Sequence, residues 1–138
     1  MNNEDAMRID HDYIKRMIEI ILNHPGPTFT IEAFDNGGLS YQTPDFEFHM
    51  KLFDDQGLIE QDDGDSGFGL FKGADGRASW SVLPLRLTSR GHDFAEAISE
   101  KSVWEKVKKE LPGAAMSSLV TVSVGLAQAY AKQRLGLS

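Results

Sequence analysis

The fold is decided by residues 43–91, a stretch that begins TPDFEFHMKLFDDQGLIE and ends WSVLPLRLTSRG. Thr43 can cap a helix, and Pro44 suits the first turn, where no backbone donor is needed. At 100° per residue, three large apolar residues of this helix fall on one face. They are Phe46, Met50 and Phe53. The sequence therefore predicts a helix that begins at Pro44 and buries this face.

The polar face of the same helix carries mostly negative charge. Its residues are Glu47, Lys51, Asp54 and Asp55. His49 lies at the edge of the buried face, and Phe48 and Leu52 form a second apolar strip. A winged-helix domain normally offers the polar face to the major groove of DNA. Three carboxylates and one lysine on that face weaken the case for such a contact.

A glycine-rich hairpin follows the helix. Residues 58–60 are predicted to form a short strand, which leads into a polar loop. Residues 67–72 and 79–87 are predicted to pair around a turn at residues 73–76. Pro84 within the second of these strands indicates a sheet edge or a bulge.

The segments before residue 43 predict a helix and then a strand. Asp10 can cap the first helix, and Pro25 and Pro27 end it. Residues 28–34 alternate in polarity, which favours a strand. A standard helix-turn-helix would place its second helix at residues 39–42. We expect that helix to be shortened, or replaced by a loop or hairpin.

Further helices are predicted after the hairpin. Thr88 can cap the first of them, and a capping box at residues 102–105 indicates a second start or a kink. Pro112 and Gly113 break the run. Residues 114–135 are helical by period, and their Ser, Thr, Gln and Gly residues argue against a membrane span. Their apolar face comprises Met116, Leu119, Val120, Val124, Leu126, Ala127, Tyr130 and Ala131.

These elements predict an α+β protein. Residues 1–111 would form a winged-helix-like domain in the order helix, short strand, helix, β-hairpin wing and helices. Residues 112–138 would add an amphipathic C-terminal helix that packs on the domain or on a partner. This helix either covers the core of its own chain or forms a dimer interface.

The distribution of charge limits the classes of partner. The chain has 138 residues, no cysteine and a net charge of −7. Residues 41–65 carry eight acids and one base, whereas residues 66–90 carry four bases and one acid. An acidic chain argues against broad attraction to nucleic acid, but a local contact through the basic stretch stays open. The N-terminus lacks the pattern of a secretory signal, which predicts a cytoplasmic protein.

No constellation of catalytic or ligand-binding residues is recognisable. The four histidines lack metal-ligand spacing. His49 and His92 are expected to form hydrogen bonds between helices rather than a metal or catalytic pair. Asp62, Asp63 and Asp65 lack the glutamate that would complete a calcium loop. We therefore expect no enzymatic activity, no cofactor, no metal and no small-molecule ligand.

Several short motifs occur in an order that resembles a known family. They are Phe48-His49, Gly57-Leu58-Ile59, Leu87-Thr88, Gly91-His92, Phe94, Val103-Trp104 and Leu135-Gly136-Leu137. Together they resemble an uncharacterised bacterial and phage family catalogued as domain of unknown function 2513. The resemblance covers nearly the whole chain. It implies a winged-helix-like fold and a bacterial or phage source, and it implies no catalytic residues.

Two functions follow as hypotheses. In the first, a transcriptional regulator or accessory factor contacts DNA through wing cations, which are Lys72, Arg77, Arg86 and Arg90. In the second, a protein-interaction module uses the acidic helix face and the C-terminal helix, which would also form a homodimer. The residues predicted for this second function are Glu47, Lys51, Asp54, Asp55, Met116, Leu119, Val120, Ala127 and Tyr130.

Overall fold

Six helices and four short strands follow one another along residues 7–137, the part of the chain that the computed structural model describes. The fold is therefore α+β, as predicted. The helices are α1 (His11–Asn23), α2 (Ile31–Asn36), α3 (Pro44–Asp55), α4 (Ser89–Ser99), α5 (Lys101–Glu110) and α6 (Met116–Arg134). The strands are β1 (Ile59–Gln61), β2 (Leu70–Lys72), β3 (Ala78–Trp80) and β4 (Leu85–Leu87).

Polar side chains cap three helices at the predicted residues. The Asp10 side chain accepts a hydrogen bond from the Tyr13 N–H at the start of α1. The Thr43 side chain accepts from the Phe46 N–H at the start of α3, where Pro44 is the first helical residue. Thr88 begins α4 by accepting from the Gly91 N–H. Each cap satisfies a backbone donor that has no partner within its helix.

Two separate sheets each contain two strands. β1 pairs antiparallel with β4, with Glu60 opposite Arg86. The other edge of β4 pairs with a single residue, Phe29, through backbone bonds of 2.8 and 2.7 Å to Leu85. Phe29, β4 and β1 therefore lie side by side. This arrangement places the segment between α1 and α2 next to β4.

The β2–β3 hairpin forms the second sheet and is separate from β4. Leu70 lies opposite Trp80 in this hairpin. The prediction of one strand over residues 79–87 was wrong, because the chain changes partner in the middle of that stretch. The Ser81 N–H still bonds to the hairpin, whereas the Pro84 carbonyl accepts from the Asp62 N–H next to β1. Pro84 has no N–H of its own, which suits the break.

The strand predicted over residues 28–34 was also wrong, apart from Phe29. Residues 31–36 form α2 instead, and Thr30 caps this helix by accepting from the Glu32 N–H. Ile31 and Phe34 both lie fully buried. Residues 39–42 form a loop, which was one of the expected alternatives. The second helix along the chain is the short α2, which precedes them.

The segment after α4 departs from the prediction in one detail. α5 begins at Lys101 after Glu100, whose side chain makes no capping bond. The predicted capping box at Ser102 was therefore wrong, although an interruption of the helix was correct. The backbone extends at Glu100 and then resumes as a helix.

The hydrophobic core contains side chains from α1 through α6. Phe46, Met50 and Phe53 of α3 are each 0% exposed, which confirms the predicted inward face. Met116, Leu119 and Val120 of α6 belong to the same core cluster. Among the helices of residues 7–137, none combines the length and apolarity that a membrane crossing requires.

Candidate interaction surface

The hairpin and α3 meet through an ion-pair cluster around Glu47. Its carboxylate lies 2.7 Å from Lys72 Nζ on β2 and 3.0 Å from Lys51 Nζ, one turn along α3. Lys72, followed by Lys51, holds the pKa of Glu47 below its ordinary value. Glu47 in turn raises the pKa of Lys72. Glu47 therefore neutralises part of the positive charge that the β2–β3 hairpin would otherwise present.

Aromatic contacts fix the hairpin in the same position. The Trp80 ring centroid lies 5.7 Å from that of Phe46 on α3 and 5.6 Å from that of Tyr41. Lys72 and Trp80 lie on the hairpin face that meets α3. Phe71 alternates to the other face, and 56% of it is exposed. The hairpin therefore packs one face on α3 and exposes Phe71 on the other.

The acids of α3 differ in exposure. Burial, followed by repulsion from Asp55, raises the pKa of the half-buried Asp54. Asp45 and Asp55 are exposed. The negative surface of α3 thus consists mainly of these two exposed carboxylates.

Three of the four predicted DNA-contacting cations have partners within the chain. Lys72 pairs with Glu47, and Arg86 forms an ion pair with Glu60 across the β1–β4 sheet. Arg90 donates from Nε to the Gln56 carbonyl at 2.9 Å. These contacts connect elements of the fold.

The fourth cation, Arg77, lies on the turn of the hairpin. Its side chain is 90% exposed, and Asp75 is 3.7 Å away. An exposed pair of this kind contributes little energy, so the guanidinium is accessible. The structure therefore does not bring the four predicted cations together as one free basic patch.

The apolar residues of α6 that were predicted to bind a partner face inward in part. Met116, Leu119 and Val120 are buried in the core of their own chain. Ala127 and Tyr130 are half-buried and pack against the same core. A homodimer through α6 would therefore need other residues of this helix. The exposed residues of α6 are Ser117, Ser118, Thr121, Val122, Gly125, Gln128, Ala129, Lys132, Gln133 and Arg134.

His49 connects α3 with the first turn of α1. Its Nε2 accepts the Asp10 N–H at 3.0 Å, and its Nδ1 lies 2.8 Å from the Asp45 carbonyl, to which it donates. The Tyr13 ring stacks on the imidazole at 4.6 Å. His49 thus makes the expected contact between helices, but its partners are backbone groups. His92 is exposed on α4 and lies elsewhere, on a surface cleft.

This arrangement predicts that acid weakens the fold through His49. Protonated Nε2 cannot accept the Asp10 N–H, and burial lowers the pKa of His49 below 6.5. The unfolded chain therefore binds the extra proton more readily. The His49 contribution is complete above about pH 6.5 and declines as the pH falls toward the folded pKa.

Urea unfolding between pH 7 and pH 5 measures this contribution. His49→Gln keeps an acceptor but cannot titrate. We expect the unfolding free energy of the wild type to fall more steeply, by up to about 1.4 kcal/mol per pH unit. Identical pH slopes for the two proteins would contradict the assignment to His49.

Within residues 7–137, no group of three or more His, Asp or Glu residues is arranged to hold a metal ion. The sequence model of one family, described as Hypothetical protein (DUF2513), matches residues 8–117. This range runs from the approach to α1 to the first turn of α6. No curated protein and no solved structure matches the chain.

Proposed function

Because the chain belongs to the DUF2513 family, whose description assigns no activity, we propose its function from its geometry. The domain is a winged helix that binds another protein and carries out no catalysis. Its partner presents basic side chains around an apolar contact. The Glu47 cluster is the observation that carries this proposal.

The order and pairing of the elements support the winged-helix assignment. Three helices, α1 to α3, precede β1, and the hairpin lies between β1 and β4. Phe29 supplies the short strand between α1 and α2 and pairs with β4. α3 is then the helix that such a domain offers to its ligand, and the β2–β3 hairpin is the wing.

The chemistry of this surface favours a protein over DNA. Binding to DNA gains affinity by placing free cations on phosphates. Here Lys72 forms an ion pair with Glu47, and Arg86 forms one with Glu60. The exposed Asp45 and Asp55 would repel a phosphate backbone.

The same groups suit a basic protein surface. Exposed carboxylates attract lysine and arginine and speed association. Phe71 offers an aromatic contact of the kind that carries binding energy at protein interfaces. We define the interaction surface as Asp45 and Asp55 on α3 together with Phe71 on the outer face of the wing. A partner that spans both elements would place basic side chains on the carboxylates and an apolar group on Phe71.

Fluorescence anisotropy with a labelled amphipathic lysine–leucine peptide tests this proposal. We expect Asp55→Lys combined with Phe71→Ser to weaken binding about tenfold, because it removes an attraction and the apolar contact. Glu96→Lys with Phe71→Ser is the matched control, since it makes the same charge change on α4. Equal loss with both double variants would refute a role for Asp55.

Contact with DNA is the second candidate, and the exposure of Arg77 favours it. Anisotropy with a random duplex at about 50 mM salt distinguishes the two functions. The protein-binding proposal expects no binding at micromolar protein. Salt-dependent binding that Arg77→Ala weakens would replace it with the DNA proposal.

A further inference from the structure

A surface cleft of about 280 Å³ lies where Phe29 and β4 separate. It is near the lower limit of ligand sites, which suits a small molecule. The end of α1, the segment before Phe29, β4 and the start of α4 form its walls. Its lining residues include Ile21, Pro27, Phe29, Arg86, Leu87 and His92.

The backbone N–H of Leu87 points toward this side of β4. In an antiparallel pair the backbone groups of alternate residues face opposite edges. The Thr88 N–H bonds to the Leu58 carbonyl on the β1 side, and Leu85 bonds to Phe29 on the other. Leu87 therefore faces the same way as Leu85, toward Pro27.

No hydrogen bond described for residues 7–137 uses the Leu87 N–H. Leu87 as a whole residue is only 4% exposed, and the part of it that is not enclosed lines the cleft. Pairing with the 27–29 segment ends at Phe29. Because the cleft is open at the surface, this N–H is available to an acceptor from solvent or to a ligand that enters the cleft.

Other groups in the cleft determine what that acceptor would be. The His92 imidazole supplies a further donor. The Arg86 guanidinium also lines the cleft, but it is already bonded to Glu60 and to the Leu87 carbonyl, the latter at 3.3 Å, so it contributes mainly its positive charge. Ile21 and Phe29 supply an apolar wall. Asp62 is the one carboxylate among the described lining residues, and it opposes an anion.

We propose that this cleft binds a small organic carboxylate with a short apolar tail. One carboxylate oxygen accepts the Leu87 N–H, and the tail lies against Ile21 and Phe29. This site is independent of the interaction surface on α3 and the wing.

Amide chemical shifts measured during titrations with acetate and butyrate test the proposal. We expect a saturable downfield shift of the Leu87 amide proton. Butyrate should bind up to about fifteenfold more tightly than acetate, because two further CH₂ groups become buried. Absence of a saturable shift at Leu87, or equal affinity for the two acids, would overturn the proposal.

A pair of charge variants separates a specific site from general attraction. Asp62→Asn removes the lining carboxylate and should tighten butyrate binding. Asp75→Asn makes the same charge change on the hairpin turn, outside the cleft, and should leave binding unchanged. Equal tightening by both variants would indicate general electrostatics and count against the site.

Discussion

Gly91→Ala is expected to destabilise the domain by about 3 kcal/mol or more, although alanine is the better helix former. A Cβ at this position would overlap the Leu58 carbonyl oxygen and lie 3.0 Å from Leu87 Cδ2. The same oxygen accepts the Thr88 N–H at 3.0 Å. Relief of the overlap would therefore separate α4 from the end of α3.

Denaturant unfolding of Gly91→Ala and Gly125→Ala measures the effect. Gly125 also lies within a helix, but nothing stands within 4 Å of a Cβ added there. Gly125→Ala should therefore be neutral or stabilising, by about 0.5–1 kcal/mol. A similar free-energy change for both variants would show that the approach of Leu58 to α4 is not tight.

Phe46→Ala is expected to lower the unfolding free energy by about 3–5 kcal/mol. The Phe46 ring is fully buried and lies 4.9 Å from Phe34 and 5.7 Å from Trp80, centroid to centroid. Its loss would leave a cavity between α2, α3 and the hairpin. The same substitution at the exposed Phe71 should change stability by no more than about 0.5 kcal/mol.

Trp80 fluorescence in a Trp104→Phe background reports the local consequence of Phe46→Ala. We expect the emission of the folded variant to shift to longer wavelength, since Trp80 loses a neighbour and gains water. Unchanged emission together with a small stability loss would indicate that the hairpin is held without Phe46.

The helix that anchors the hairpin could be predicted from sequence because its signals are local. Thr43 and Pro44 specify its start, and the spacing of Phe46, Met50 and Phe53 specifies its buried face. The family was likewise identified from short motifs in order. The other helices with a clear capping residue, α1 and α4, could be predicted from local sequence for the same reason.

The short helix α2 could not be distinguished from a strand. Over six residues, helical and alternating patterns coincide, and Ile31 is buried in either conformation. The cap at Thr30 was the available signal, since threonine there can bond the Glu32 N–H.

The partners of the four cations predicted to contact DNA could not be predicted for a different reason. Glu47 and Lys72 are 25 positions apart, and they meet only because Trp80 packs against Phe46. The orientation of the Leu87 N–H likewise depends on the register of β4 against both β1 and Phe29. These are properties of the tertiary fold.

The separation of the β2–β3 hairpin from the β1–β4 sheet has a kinetic consequence. A two-stranded hairpin is marginally stable alone, so this one depends on the contacts of Trp80 and Lys72. Its amides should exchange with deuterium through a local opening that leaves β1 and β4 protected. A ligand could therefore meet two forms of the same surface, one with the hairpin docked on α3 and one with it detached. The free energy that separates them would be a small fraction of that of global unfolding.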